Sequence, residues 1–181
     1  MGYILSKEQL NSVRNETRFF SVLNESMNAH KRSAYSYEVS VFLSHKHSDR
    51  PVLENVITML NGLGVNVYVD WNDDGMPSTT SGYTASRIKQ KIRECKKFIL
   101  LAPEDAIASK WCNWELGYGD SQKYPNNIAI MPITEKRGNF FSGSEYLQIY
   151  PVIKSDYEYI LTGCYIEFGG KRISLVEWLK N

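Results

Sequence analysis

Val39-Ser-Val-Phe-Leu-Ser-His-Lys-His-Ser-Asp49 begins with β-branched and aromatic residues and continues as a polar loop. The apolar run Val39–Leu43 predicts a buried strand, because this composition suits a pleated surface inside a core. Pro51 favours the first turn of a helix, which we expect to end before Gly62. A strand, a polar loop and a helix in this order form the first half of a βαβ unit.

The same alternation continues through the middle of the chain. Nearly all-apolar strands separated by helices are typical of a parallel sheet that is covered on both faces. We therefore expect an α/β fold with helices on both sides of the sheet. Pro103 is expected to open a short helical stretch, and Pro132 to end the fourth strand. The predicted strands lie at 39–43, 65–69, 98–102 and 128–131, and the predicted helices at 51–61, 85–95 and from 110 onward.

The two ends of the chain have weaker patterns. Residues 146–150 predict a short helix or strand, 165–168 a last strand, and 174–180 a closing helix. At the other end, Ser6 and Gln9 form a capping box that starts an amphipathic helix over residues 6–30. We predict an N-terminal helical extension, residues 1–35, and one domain, residues 36–181. The extension packs either on the domain's own surface or on another copy.

Composition excludes several classes of protein. The 181 residues include 43% hydrophobic and 23% charged residues, with a net charge of +1, so neither nucleic acid nor an anionic membrane is expected as partner. No apolar run could span a bilayer, and no signal peptide is predicted. The three cysteines lack CxxC spacing, which disfavours a disulfide framework or zinc site and favours a reducing cytoplasm.

Ser109-Lys-Trp-Cys-Asn-Trp-Glu-Leu-Gly-Tyr-Gly119 predicts a helix capped by its first residue. Trp111, Trp114, Glu115 and Tyr118 fall on one face of that helix. A carboxylate among three aromatic side chains is unusual, because burying a charge is costly unless it is paired. Glu115 either reaches solvent at the rim of a half-buried helix or belongs to a functional site. The carboxyl ends of parallel strands meet at one sheet edge, where ligands bind in open α/β folds. We expect the loops that begin at Ser44, Asp70 and Ala102 to gather there.

Three motifs resemble the Toll/interleukin-1 receptor (TIR) domain family over residues 37–181. They are Val-Phe-Leu-Ser-His-Lys-His-Ser-Asp49, Val-Tyr-Val-Asp70 with its long loop, and Ser-Lys-Trp-Cys-Asn-Trp-Glu-Leu116. The last resembles the W-C-x-x-E-L helix of enzymatic members, whose glutamate is essential for cleaving NAD. The resemblance implies a flavodoxin-like fold with a five-stranded parallel sheet. The segment 71–78 departs from the family's usual loop pattern.

NAD cleavage suits a single carboxylate. Nicotinamide leaves as a neutral molecule from a cationic linkage, so no general acid is required. The oxocarbenium-like ribose needs electrostatic help or nucleophilic attack, and Glu115 is the predicted catalytic residue. Trp111 is expected to stack on nicotinamide or to wall the pocket. Water, an internal hydroxyl or another base could capture the ribose, giving ADP-ribose, a cyclic isomer or a base-exchange product.

The remaining predicted substrate-binding residues lie on the two loops. We expect Ser44, His45 and Lys46 to border the pocket and contact ribose or diphosphate, although Lys46 could be solvated. Asp70 binds a ribose hydroxyl or caps its loop. Trp71 is an anchor for self-association or a lid. His45 and His47 have metal-like spacing but no third ligand nearby in sequence, so no metal is predicted, and no cofactor besides NAD as substrate.

Other functions remain open from the sequence. A non-enzymatic TIR adaptor would act by homotypic assembly but has no need of Glu115. A nucleoside deoxyribosyltransferase also uses a glutamate in this type of fold. Dehydrogenase and P-loop motifs are missing, and so is the early acidic pair of a receiver domain. The resemblance implies self-association through the loop 70–82, and a role in bacterial anti-phage defence, with a downstream protein that senses the product, or as a secreted effector.

Overall fold

The computed structural model describes residues 2–13, 15–16, 39–46, 49–70, 81–103, 109–136, 138, 145–156 and 160–181. Its strands form one sheet in the order β3-β2-β4-β5-β6-β7-β8, and β1 pairs with β5. The strands are β1 (Leu5–Ser6), β2 (Ser40–Ser44), β3 (Asn66–Tyr68), β4 (Lys97–Pro103), β5 (Ile128–Thr134), β6 (Val152–Ser155), β7 (Cys164–Phe168) and β8 (Lys171–Ser174).

Five neighbouring strands, β3-β2-β4-β5-β6, run parallel, which confirms the predicted α/β class with a parallel sheet. The register places Phe42 beside Phe98 and Phe98 beside Ile128. Strands β7 and β8 extend this sheet by antiparallel pairing. The strand predicted at 165–168 is β7, but it is not the last, because β8 follows it. The sequence pattern missed both β8 and the fifth parallel strand, β6.

Helices cover both faces of the sheet, as predicted. They are α1 (Arg50–Gly62), α2 (Gly82–Glu94), α3 (Lys110–Lys123), α4 (Ile160–Gly163) and α5 (Leu175–Lys180), with a 3-10 helix at Glu145–Ile149. One apolar cluster joins α1, α5 and residues Leu10 and Val13 to one side of the sheet. A second cluster joins α2 and α3 to the other side, through Ile88, Ile92 and Leu116. None of the helices seen in the described residues is long and apolar enough to cross a bilayer.

Side-chain caps fix the starts of the helices. Ser109 accepts a hydrogen bond from the Cys112 N–H at 3.3 Å and starts α3 as predicted. Helix α2 starts three residues earlier than predicted, because Ser81 and Thr84 form a reciprocal capping box. Gly119 lets α3 lie close to the sheet, since a Cβ there would be 2.9 Å from the ring of Phe98.

One prediction about proline was wrong, because strand β5 continues through Pro132 to Thr134. Pro103 is the last residue of β4, and the short helical stretch predicted to follow it lies outside the described residues. Pro132 has no N–H to donate. It is tolerated because it lies between the residues of β5 that pair with β6 and those that pair with β1. The Ile130 N–H pairs with the residue before β6, and β1 pairs only from Ile133 onward.

The N-terminal segment belongs to the same core as the rest of the fold. Ser6 and Gln9 make the expected capping box, and residues 7–13 and 15–16 are helical. Leu5 pairs in parallel with Ile133 at the end of β5. Leu10 and Val13 are fully buried in the cluster that includes α1. The described part of this helix therefore packs on the domain's own surface, one of the two expectations. The rest of the predicted helix lies outside the described residues.

Candidate active site

The predicted site residues meet at the carboxyl edge of the parallel strands. Ser44 is the last residue of β2, and His45 follows it. Asp70 lies two residues beyond the end of β3. The first turns of α3 carry Trp111 and Glu115 to the same edge, because α3 packs against β2, β4 and β5. The sequence analysis expected these loops to lie together at this edge, because ligands bind at the carboxyl ends of the strands in open α/β sheets.

Glu115 is buried at the centre of this arrangement. Only 3% of the residue is exposed, so it does not reach solvent at a rim. The Ser44 hydroxyl donates to Oε2 of Glu115 at 2.5 Å, and the Trp111 side chain also hydrogen-bonds to this carboxyl group. Trp has a single side-chain donor, its indole N–H, so Trp111 donates to the carboxylate. Both contacts come from neutral groups.

The environment of Glu115 opposes its ionisation. The pKa of Glu115 is raised to about 8, chiefly by burial and also by the nearby charge of Asp70, and the hydrogen bonds from Ser44 and Trp111 oppose this rise. Desolvation is the largest of these effects because a carboxylate loses its hydration inside the fold. A buried carboxyl group with a raised pKa at the ligand-binding edge of the sheet is a candidate for a catalytic role.

His45 and Asp70 form a second polar pair at this edge. The buried His45 ring places Nδ1 3.1 Å from the Leu43 carbonyl, which can only accept, so Nδ1–H is the donor. Nε2 of His45 then faces Oδ1 of Asp70 at 3.6 Å. This oxygen is buried and makes no hydrogen bond within the described part of the chain. Asp70 thus retains an acceptor at the edge where a ligand would bind.

A row of stacked aromatic side chains on α3 supports Trp111. Trp111 stacks on Trp114 with ring centroids 4.9 Å apart, and Trp114 stacks on Tyr118 at 6.5 Å. Lys89 on α2 lies over both Trp114 and Tyr118, and Arg93 donates to the Tyr118 hydroxyl. The predicted shared face of α3 is thus present. Its aromatic members pack on one another and hold the indole N–H of Trp111 against the buried carboxyl group.

The predicted site residues differ in how far the structure describes them. Ser44, His45, Asp70, Trp111 and Glu115 lie together, and their roles toward a substrate stay predictions. Lys46 is half-buried on the exit loop of β2. Trp71 and the rest of the loop at 71–80 lie outside the described residues, as does His47. No group of three or more potential ligands that could hold a metal occurs within the described ranges.

Two buried residues at the site were missed by the sequence pattern. Cys112 lies one turn before Glu115 on α3, and burial raises the pKa of its thiol, with hydrogen bonds to Ser109 and Ser44 opposing this. Asp49 precedes α1, and its negative charge also acts on Cys112. The signal for Asp49 was its place in the polar loop after the first strand. For Cys112 the spacing on α3 offered none.

Comparison with known proteins assigns the family. The model of the TIR domain matches residues 41–156, which is more than half of the chain. This chain belongs to the TIR domain family. The matched region includes all of β2 except Ser40, the exit loop of β2 and the whole of α3, so it contains Ser44, Asp70 and Glu115. The resemblance stated from three short motifs is therefore confirmed.

Two bacterial relatives of this TIR domain have names that refer to cyclic ADP-ribose. The chain is 34% identical over 116 residues, 62% of its length, to "Probable 3' cyclic ADP-D-ribose synthase ThsB'" of Bacillus cereus (strain MSX-D12). It is 29% identical over 97 residues, 52% of its length, to "Putative cyclic ADP-D-ribose synthase TIR2" of Cytobacillus dafuensis. The match spans 59% of the first relative and 24% of the second.

Proposed function

We propose that this TIR domain cleaves the bond between nicotinamide and ribose in NAD+. The observation that carries the proposal is the buried Glu115, held by Ser44 at 2.5 Å at the carboxyl edge of the sheet. A homotypic adaptor would have no use for a buried carboxyl group that costs folding energy. The names of the two relatives support the same chemistry.

Glu115 acts on the ribose when it is ionised. As the glycosidic bond lengthens, positive charge moves from the nicotinamide ring to the ribose, and nicotinamide leaves as a neutral molecule. The carboxylate of Glu115 stabilises the cationic ribose or attacks its anomeric carbon. Ser44 and Trp111 fix the orientation of the carboxyl group by their hydrogen bonds. Burial strengthens the attraction between the carboxylate and the ribose because the local dielectric is low.

The second product is a cyclic ADP-ribose isomer, with ADP-ribose as the hydrolytic alternative. A hydroxyl or base nitrogen of the same molecule captures the ribose in the cyclase reaction, whereas water captures it in the hydrolase reaction. The relatives' names favour the cyclic product. This product would act as a signal for a downstream protein in bacterial anti-phage defence in the cytoplasm. Self-association through the loop 70–82 would complete the site.

Incubation of the concentrated protein with NAD+, followed by chromatography and mass analysis, tests the proposal. We expect the wild type to release nicotinamide, and Glu115→Gln to lose at least about a thousandfold of the rate. Glu94→Gln is the matched control, because Glu94 is an exposed carboxylate on α2, away from the sheet edge. It should keep the wild-type rate.

Retained turnover in folded Glu115→Gln would contradict the assignment of the catalytic carboxylate. The second product peak separates the cyclase from the hydrolase. Absence of nicotinamide release from the wild type, even when copies are forced together by tethering or crowding, would favour the non-enzymatic adaptor.

A further inference from the structure

His45 and Asp70 place two proton acceptors opposite each other at the carboxyl edge of the sheet. The Leu43 carbonyl fixes the hydrogen of the His45 ring on Nδ1, because a carbonyl oxygen can only accept. Nε2 of the neutral ring is then an acceptor, and it lies 3.6 Å from Oδ1 of Asp70. A proton added to Oδ1 would therefore be shared with Nε2.

The carboxylate of Asp70 lacks a donor on its inner side. Oδ1 is buried and has no hydrogen bond from the described residues. A buried acceptor in this state costs free energy, because it has lost its hydration without gaining a partner. Uptake of a proton removes this cost. The Asp70 side chain as a whole is 30% exposed, so the same carboxyl group also reaches the solvent side of the edge.

The groups that touch Glu115 are unsuited to take up a proton. Ser44 gives its hydroxyl hydrogen to Glu115 at 2.5 Å, and the indole of Trp111 can only donate. Burial raises the pKa of the Cys112 thiol above its ordinary value of 9.0, so the thiol keeps its proton at neutral pH. Glu115 itself must stay ionised to stabilise the ribose.

Asp70 is the acidic group closest to Glu115 in electrostatic terms. Its negative charge acts directly on Glu115. The charge of Asp49, the other acidic residue at this edge in the described part of the chain, acts on Cys112 instead. Asp70 therefore lies within reach of a ribose that is bound against Glu115.

We propose that the His45–Asp70 pair removes the proton of the hydroxyl group that captures the ribose. The inference rests on the proposed function and adds to it a second catalytic residue, Asp70, with His45 as a positioning residue. The hydroxyl group belongs either to water or to the same dinucleotide, and in both cases it must lose its proton. A ring nitrogen that attacks through its lone pair has no proton to lose and needs no base.

One bond breaks and one bond forms at the anomeric carbon. The bond to the nicotinamide nitrogen breaks, and its electron pair stays on nicotinamide. The hydroxyl oxygen bonds to the anomeric carbon, and its proton moves to Asp70. The protonated carboxyl group then donates to Nε2 of His45, and the proton later leaves to solvent from the exposed side of Asp70.

Competition between two kinds of nucleophile tests the proposal. Acetylpyridine is added to the NAD+ cleavage assay as a nitrogen nucleophile without a proton to lose. Its capture of the ribose gives an exchanged dinucleotide, whereas hydroxyl groups give ADP-ribose or a cyclic isomer. Chromatography and mass analysis at early times give the ratio of exchange product to hydroxyl products. Because the capture of the ribose sets this ratio, a lower rate of nicotinamide release does not alter it.

Asp70→Asn should raise the ratio at least about tenfold, because hydroxyl capture loses its base and nitrogen capture needs none. Asp156→Asn is the matched control and should keep the wild-type ratio, since Asp156 is a mostly exposed carboxylate directly after β6. The product that decreases, ADP-ribose or the cyclic isomer, shows which hydroxyl group depends on Asp70. Thermal melting confirms that each variant is folded.

Asp70→Ala distinguishes a base from a structural role. Loss of the side chain leaves room at a partly exposed position for formate, a small carboxylate that can take up the proton instead. We expect formate, compared with chloride at the same concentration, to lower the ratio of Asp70→Ala at least about threefold and to leave that of the wild type unchanged.

An unchanged ratio in folded Asp70→Asn, or no response of Asp70→Ala to formate, would overturn the inference. In either case NAD+ is still cleaved, so the proposed function stands. Absence of nicotinamide release from the wild type defeats the proposed function, and this inference with it.

Discussion

Each of the two edges of the sheet contains a buried ionisable side chain, Lys97 at one and Glu115 at the other, and their surroundings differ. Lys97 starts β4 at the amino edge and is 1% exposed. Its ammonium group donates to Asn127 at 2.6 Å and to the Asn126 carbonyl at 3.4 Å, and it lies 4.6 Å from the centre of the Trp178 ring. Glu115 at the carboxyl edge has two neutral donors and an acidic neighbour.

The comparison shows that burial disfavours the charged form at both edges, while the groups in contact with the two side chains differ. The contacts of Lys97 are amide oxygens and an aromatic face, which favour its charge, whereas burial and the neighbouring charge of Lys96 oppose it. This arrangement is structural. The surroundings of Glu115 include Asp70, a charge that repels its ionised form, so the fold gains nothing from keeping a carboxylate there. Groups that cost stability are typical of functional sites.

Among the substitutions at the two edges, Glu115→Gln should change the stability of the protein most. The folded-state pKa near 8 lies above the unfolded value of 4.5, so the folded protein binds more protons between these two values. The contribution of Glu115 to the free energy of unfolding of the wild type therefore falls as the pH rises through that window. The variant does not lose this stability, because Gln does not titrate. We expect urea unfolding to show about 2–4 kcal/mol of added stability at pH 8 and almost none at pH 4.5. A constant difference at both pH values would contradict the prediction.

Ser44→Ala tests the donor that favours ionised Glu115. Removal of this hydroxyl raises the pKa of Glu115 further, because its hydrogen bond lowers that pKa in the wild type. We expect kcat/KM for NAD+ to fall about tenfold at pH 7 and its pH profile to shift upward. Ser40→Ala is the matched control, since Ser40 begins the same strand and bonds to the Lys96 N–H at the other edge. A loss of activity in both variants would indicate a general effect on β2.

Asp70→Asn should move the same pH profile in the opposite direction. The negative charge of Asp70 raises the pKa of Glu115, so its removal lets Glu115 ionise at lower pH. We expect a downward shift of about half a pH unit in kcat/KM, measured by nicotinamide release. Asp156→Asn, at the end of β6 and mostly exposed, should leave the profile unchanged. An upward shift in Asp70→Asn would show that Asp70 acts chiefly through His45.

Lys97→Met should have the smallest effect on function. Burial lowers the pKa of Lys97 to about 8 from 10.5, so the unfolded chain binds more protons between these values and wild-type stability rises with pH there. Relative to the Met variant, the wild type should gain about 1–3 kcal/mol in urea unfolding between pH 8 and 10.5. NAD+ cleavage per folded molecule should stay within about twofold. Lys171→Met, an exposed change on β8, should show neither effect.

The sequence predicted the elements whose local pattern matches their environment. Strands β2 and β4 are apolar runs buried on both faces, and α1 and α3 carry recognisable starts in Pro51 and Ser109. Strand β6 was missed because its four residues alternate between buried and half-buried positions, and Lys154 pairs with Glu167 across β7. Strand β1 has two residues, and only its partner at the end of β5 defines it.

The sequence predicted which residues lie close together at the candidate site, but not which of their atoms are in contact. The sheet-edge rule placed Ser44, Asp70 and Glu115 together, because it depends only on strand order and direction. Sequence spacing could not show that the hydroxyl of Ser44 and the indole N–H of Trp111 both point at Glu115. It also gave no sign that Lys97 is buried, since the apolar run that follows Lys97 has no pattern that fixes its surroundings.

The hydrogen bond from Ser44 to Glu115 joins residues 71 positions apart in the chain. Contacts of such long sequence separation form late in folding, because a large loop must first be closed. Helices and local turns can be present before this bond exists. In a refolding experiment, the return of NAD+ cleavage should therefore lag behind the return of the helical circular dichroism signal. The recovery of activity would then report when α3 packs against β2.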